Sequence, residues 1–136
     1  MRKDVIAIVP AQGGGAPPVT ITSTLTTREF PEFANFAQAA LYLNVTAMVG
    51  AGGTFIVTIQ EQDPVSLQWT DGSTNHPSPI VTFTTVSQVG PFPWTQRVTI
   101  QPSFGIRYRA VCTLATGATS VSFSLCAIVG TEADGT

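Results

Sequence analysis

The sequence predicts an all-β fold, a single antiparallel β-sandwich of jelly-roll-like form with an extended N-terminal arm. Three observations carry that prediction. Apolar and polar residues alternate with period two through segment after segment, which sets one face on a core and one outward. Glycine and proline punctuate the spaces between these segments. Helix signals are nearly absent: Pro31–Ala40 is the best candidate, and its Ala-rich end runs straight into a strand pattern, so one turn is the most it predicts.

The predicted strands run Val19–Leu25, Ala40–Val49, Thr54–Gln62, Ile80–Val86, Thr95–Gln101, Ile106–Leu114 and Thr119–Val129. Gly50-Ala-Gly-Gly53, Asp63-Pro64, Asp71-Gly72, Gly90-Pro91, Pro102–Gly105 and Gly117 supply the turns. Short strands with such punctuation point to a sandwich or barrel. One phase of each strand gives the expected core: Leu43, Val45, Val57, Ile59, Val98, Ile100, Tyr108, Leu114, Phe123 and Leu125. The chain divides into an arm and linker (1–18), a sandwich (19–130) and a small, polar, acidic tail (131–136) expected to fray.

The last two strands predict a hairpin about Gly117-Ala118. Taking Thr116 opposite Thr119 sets Cys112 against Phe123 and Cys126 against Arg109. Alternation agrees on the faces: Tyr108, Ala110, Cys112 and Leu114 share one with Val121, Phe123, Leu125 and Ala127, while Arg107, Arg109 and Cys126 take the other. The cysteines point to opposite faces and are therefore expected as free thiols.

Composition narrows the function. The chain has 136 residues, enough for one real core, but only 10% are charged, against roughly 25% in typical domains. The surface must be built from Thr, Ser, Gln and Asn, and it does little to discourage association, so the balance leans towards an assembly. A net charge of −2, a pI near 5.1 and six scattered Lys and Arg residues argue against nucleic acid. No apolar run reaches the roughly 18 residues of a membrane-spanning helix, so no membrane partner is expected. The start, Met1–Pro10, is interrupted by Asp4 and too short in its apolar part for a signal peptide. It reads as a mature strand in a protein made in the cytoplasm.

No motif carries chemistry. His76, the single histidine, has no second ligand and sits in a turn sequence. Gly50–Gly53 precedes a strand pattern, not a helix, and reads as a hairpin loop where a phosphate loop would need a helix N-terminus. Glu61, Asp63 and Asp71 could pair as catalytic or calcium-binding acids, but Asp63-Pro64 and Asp71-Gly72 are turn dipeptides. Asn44-Val45-Thr46 matches a glycosylation acceptor only in mid-strand. Tyr42, Trp69 and Trp94 are expected as core or interface anchors. Trp94, behind Pro91-Phe-Pro93, is expected to stand exposed on a stiff loop as a contact residue. No catalytic residue, cofactor or metal ligand is assigned, and the chain is not expected to be an enzyme.

The arm is the other candidate contact. Val5, Ile6, Ile8 and Val9 form a β-prone pentamer with Ala7, tethered by the flexible, then stiff, Ala11–Pro18. Such a strand must add to a sheet edge, and a neighbour's edge is the expected one. Arg107 and Arg109, on an outward face, complete the expected partner contacts.

From Leu41 to about Val129, two-thirds of the chain, the sequence resembles small tailed-phage virion proteins. The resembling stretches are Leu41–Gly50, Phe55–Gln60, Asp63-Pro64 with Trp69, Gly105–Leu114 and the Ser-rich Ser120–Val129. The resemblance implies a capsid decoration, or cement, protein that clamps the major capsid protein on the outer shell surface, often as a trimer. The alternatives are a tail or fibre component of similar fold and a carbohydrate-binding module built on Trp69 and Trp94.

Overall fold

The computed structural model describes residues 3–10, 17–30, 38–70, 81–100 and 107–130. Within them the strands are β1 (Lys3–Val9), β2 (Val19–Ile21), β3 (Leu25–Thr26), β4 (Gln38–Val49), β5 (Thr54–Gln62), β6 (Trp69–Thr70), β7 (Val81–Thr82), β8 (Val86–Ser87), β9 (Trp94–Ile100), β10 (Tyr108–Ala115) and β11 (Ser120–Gly130). The two sheets are wholly antiparallel. One runs β1-β11-β4-β9, with β2 taking over from β1 along the edge of β11. The other runs β3-β10-β5, and β6, β7 and β8 share the far edge of β5 in succession.

That connectivity is a jelly roll. The paired strands β4 and β11 lie in one sheet, and their continuations β5 and β10 pair in the other. Pairing runs one for one from Tyr108↔Glu61 to Ala115↔Thr54 and resumes at Ser120↔Val49 without a shift in register. A single two-stranded ribbon therefore bends as a unit at residues 50–53 and 116–119. Glycine makes the bend possible. Gly50 (φ 119°) and Gly117 (φ 97°) occupy backbone closed to most residues. A Cβ on Gly50 would overlap the Gly117 carbonyl oxygen, and one on Gly53 would lie 2.7 Å from the Cα of Ala118. The corner is sealed by Thr119 N–H donating to the Val49 carbonyl (2.8 Å) and by the Thr54 and Thr116 hydroxyls at 3.1 Å.

The core fills the space between the sheets. Leu41, Leu43 and Val45 of β4 and Val121, Phe123, Leu125, Ala127 and Val129 of β11 face Phe55, Val57 and Ile59 of β5 and Tyr108, Ala110 and Cys112 of β10. Phe55 and Phe123 meet across the sheets with ring centres 4.9 Å apart. A bulge in β4 opposite Ser122/Phe123 leaves Thr46 over, turns Met48 inward, and is satisfied by Thr46 Oγ1 donating to the Ser122 carbonyl at 3.2 Å. Of the expected core, Val98 and Leu114 are partly buried and packed against it, the Ile100 side chain lies outside the described residues, and the other seven are buried.

Four expectations about connectivity are corrected. The last two strands are not a hairpin: β10 pairs with β3 and β5, and β11 with β1, β2 and β4. The tight turn does form, with Ala118 N–H bonded to the Ala115 carbonyl (3.1 Å), but Val49 then takes the Thr119 N–H and draws the chain into the other sheet. Gly50–Gly53 is likewise an inter-sheet corner. Val19–Leu25 breaks at 22–24 into β2 and β3, which belong to different sheets, and Ile80–Val86 breaks into β7 and β8. Alternation fixes the face of a strand and is blind to its neighbour, so the predicted faces hold while the pairings change.

The arm is the fourth correction. β1 pairs with its own chain's β11 from Lys3↔Gly130 to Val9↔Leu125. A bulge between Ala7 and Val9 turns both Ile8 and Val9 inward, and with Ile6 they are buried. Arg28 clamps the outer edge by donating from Nε (3.2 Å) and Nη2 (2.9 Å) to the Ala7 carbonyl. Three apolar side chains with a covered place in their own core have no reason to seek a neighbour's. The helical turn at 31–37, the linker at 11–16, the 102–105 turn and the tail at 131–136 lie outside the described residues.

Two predictions follow from this architecture. Gly50→Ala should destabilise the fold by at least about 2–3 kcal/mol in urea unfolding, because it must displace backbone on both strands. Gly52→Ala, whose Cβ would meet the Thr116 carbonyl oxygen at an ordinary contact distance of 3.8 Å, should cost only about 1 kcal/mol. Deleting residues 1–10 should cost several kcal/mol, at roughly 1.5–3 kcal/mol for each buried apolar side chain. A truncated chain of unchanged stability would show that β1 is not part of the core.

Candidate functional site

The structure disperses the expected contact residues. Val5 is 68% exposed on the outer face of the first sheet, whereas Ile6, Ile8 and Val9 are core residues and are withdrawn as contacts. Trp94 is corrected too. It pairs with Val45 at the start of β9, on the inward phase, and packs partly buried against the core, so the proline-flanked loop delivers the ring inward. Arg107 lies outward and forms an ion pair with Glu29 at 2.9 Å. Arg109 lies outward on β10, where its Nε donates to Gln60 Oε1 (2.9 Å) and its guanidinium sits 4.2 Å over the Trp69 ring.

Trp69 and Trp94 therefore belong to different sheets and share no platform. Tyr42 stands on the outer face of the first sheet, level with Cys126 and Arg97. Asn44 accepts from Thr95 Oγ1 at 3.1 Å, a cross-strand bond in the same sheet. His76 and Asp71 lie outside the described residues.

Asp63 proves to be a turn residue. Its carboxylate accepts the Val65 N–H (2.8 Å) and the Ser66 N–H (3.2 Å), and its backbone bonds Gln68 and Leu67. The Val65 amide first, and then Ser66, hold the carboxyl below its usual range. Gln62 Nε2, on the outer face, donates to the Leu67 carbonyl (3.1 Å), and Ser66 Oγ accepts the Gln68 N–H (3.2 Å). The loop between β5 and β6 is thus a closed, internally bonded unit tied to the outer face beside Trp69.

What that loop displays was missed in the sequence. Val65 is 90% exposed and Leu67 62% exposed, and Leu67 has φ 63°. The left-handed conformation costs a residue bearing a Cβ about 1–2 kcal/mol, and here no burial offsets it. The signal was available: two apolar residues follow a turn dipeptide and alternate with Ser66 and Gln68 into Trp69. Together, Val65, Leu67, Trp69 and Arg109 form the best-defined surface feature of the second sheet.

Among the described residues no three His, Cys, Asp or Glu side chains gather to hold a metal ion. Cys112 is buried in the core, and that burial pushes its thiol up to about 12; Cys126, half-buried on an outer face, is raised by the same cause.

No family model matches the chain, and no curated protein is similar to it in sequence. Among solved structures it is similar to the structure of infectious bursal disease virus Gt strain, with a TM-score of 0.45 and 11% identity. That alignment covers 95% of this chain and 32% of the other, so the chain spans about a third of the length of the viral chain it matches.

Both cysteines are free. In the native protein Cys126 should react with a thiol reagent well before Cys112, and denaturation without reductant should release two titratable thiols. Because folding raises the Cys112 pKa, its contribution to stability is intact below the ordinary thiol range. It is lost as pH rises towards about 12, by up to about 1.4 kcal/mol per pH unit. Equal reactivity of the two thiols in the native state would contradict the burial of Cys112.

Proposed function

We propose that this chain is a structural protein of a virion and, within that class, a phage capsid decoration protein that bridges major capsid protein subunits on the outer surface of the shell. The observation that carries the reading is the chemistry of the outer faces. The first sheet presents Val5, Ala40, Tyr42, Cys126 and Ile128 among serines and threonines, and Arg97 is the charged residue among its described outward side chains. A sheet face about four strands wide approaches the roughly 800 Å² that each partner contributes to a standard protein interface. Neutral faces of this kind favour burial against protein, and repetition by symmetry makes weak contacts add up.

The fold alone does not decide the matter, since jelly rolls also build lectins and cupins. Against a sugar-binding role stands the separation of Trp69 and Trp94, with Arg109 already stacked on Trp69.

The test is fractionation of phage particles from the producing strain. The chain should sediment with DNA-filled heads in fixed stoichiometry. Heads stripped of it should open at lower temperature, and adding the pure protein back should restore them. Recovery with isolated tails, or high-affinity glycan binding by the free protein, would overturn the reading.

A further inference from the structure

The loop between β5 and β6 breaks a local rule that its own fold does not reward. Glycine or asparagine at position 67 would make the same turn without strain, and every backbone bond that closes the loop would survive the change. A leucine held in the left-handed region while 62% exposed gains no burial within the folded chain to offset that cost. Rigidity points the same way. A tip already fixed by Asp63, Ser66 and Gln62 loses little conformational freedom when it docks.

The charges beside the tip indicate what it docks against. Arg109 is held at Nε by Gln60 and laid over Trp69, and no carboxylate pairs with it among the described residues. Asp63 accepts from two backbone amides, and no cation pairs with it among the described residues. One apolar tip thus carries both an unmatched cation and an unmatched anion. That is the arrangement a two-fold contact requires, because each copy offers the same residues that it receives.

We propose that this end of the second sheet is a self-association surface. The Val65 and Leu67 tip of one copy packs against Trp69 of a second copy, and Asp63 faces Arg109 of the second copy, twice over by symmetry. The patch is small, so the isolated pair is expected to be weak, with a dissociation constant of roughly 10 μM to 1 mM. The inference stands independently of the virion reading, since it concerns the pure chain.

The test is sedimentation velocity of the full chain over roughly that concentration range, alongside thermal unfolding of the dilute monomer. The wild type should show a monomer–dimer equilibrium. Leu67→Gly should weaken it tenfold or more while leaving the melting temperature unchanged or raised by a few degrees as strain is released. Arg109→Glu should weaken it similarly. A monomer at every concentration overturns the proposal, as does association that both variants leave intact. A Leu67→Gly chain that loses melting temperature together with association would make Leu67 a structural residue and overturn it as well. A ring larger than two would overturn the two-fold arrangement.

Discussion

Where β4 turns into β5, the chain beside it is turning from β10 into β11, and neither turn is made alone. The backbone of residues 50–53 lies against that of 116–119 too closely for a side chain at Gly50 or Gly53. Because the ladder resumes in the same register beyond the corner, a change in one turn would displace the partner strand in both sheets. The bend also brings the tilted rings of Phe55 and Phe123 together from opposite layers, and around that contact the long strands bury their inward residues. The remaining strands then have their places defined: β1, β2 and β9 flank the ribbon in one layer, and β3 with β6, β7 and β8 in the other. Long-range pairing of this kind has high contact order and closes its loops before it is rewarded, so folding should depend on the corner forming as a unit.

Edges are the liability of any open sandwich. At the β1 edge the protein answers with Arg28, which spans from the segment after β3 to the Ala7 carbonyl. Near β9, Gln96 accepts the Thr84 N–H at 3.0 Å and its Nε2 lies 3.3 Å from Thr84 Oγ1, tying the first sheet to the segment between β7 and β8. These are neutral or charge-assisted bonds from single side chains, in keeping with a chain in which only 10% of residues are charged. A surface with so few lysines and glutamates discourages association through edge design more than through repulsion, and this leaves its faces free to be covered.

How much of this was legible in the sequence depended on what period-two alternation can report. It reports faces. Leu43, Val45, Val57, Ile59, Tyr108, Phe123 and Leu125 are buried as their phase predicted, and Thr54–Gln62 is a strand over the predicted residues. It does not report partners, so two corners were read as hairpins: Cys112 faces across the layers where it was expected to sit beside Phe123 in one sheet. Nor does it report bulges, and the bulge near Val9 is what brings Val9 inward beside Ile6 and Ile8. Trp94 misled for a related reason. Prolines suggested exposure, but its position opposite Val45 on the inward phase of β9 decided the matter. The surface tip was overlooked because Val65 and Leu67 follow the Asp63-Pro64 turn, and their alternation with Ser66 and Gln68 is too short to stand out as a strand.

Rigid core and adaptable contact are usually in tension, and this chain resolves the tension by location. Most apolar residues facing the inside of the sandwich are buried, others such as Trp94, Val98 and Leu114 pack partly buried against them, and no buried polar or charged residue interrupts them among those described. The large apolar side chains left in solvent, Val5, Val49, Val65, Leu67 and Val89, are few, and most stand singly, as surface hydrophobes ordinarily do. Val65 and Leu67 differ from the rest because they share one loop, that loop is internally bonded, and one of them holds a costly backbone conformation. Exposure alone would be ordinary; exposure joined to rigidity and strain is what separates a contact from a stray hydrophobe. On that criterion the end of the second sheet, and not the N-terminal arm, is the surface we propose for contact with another protein.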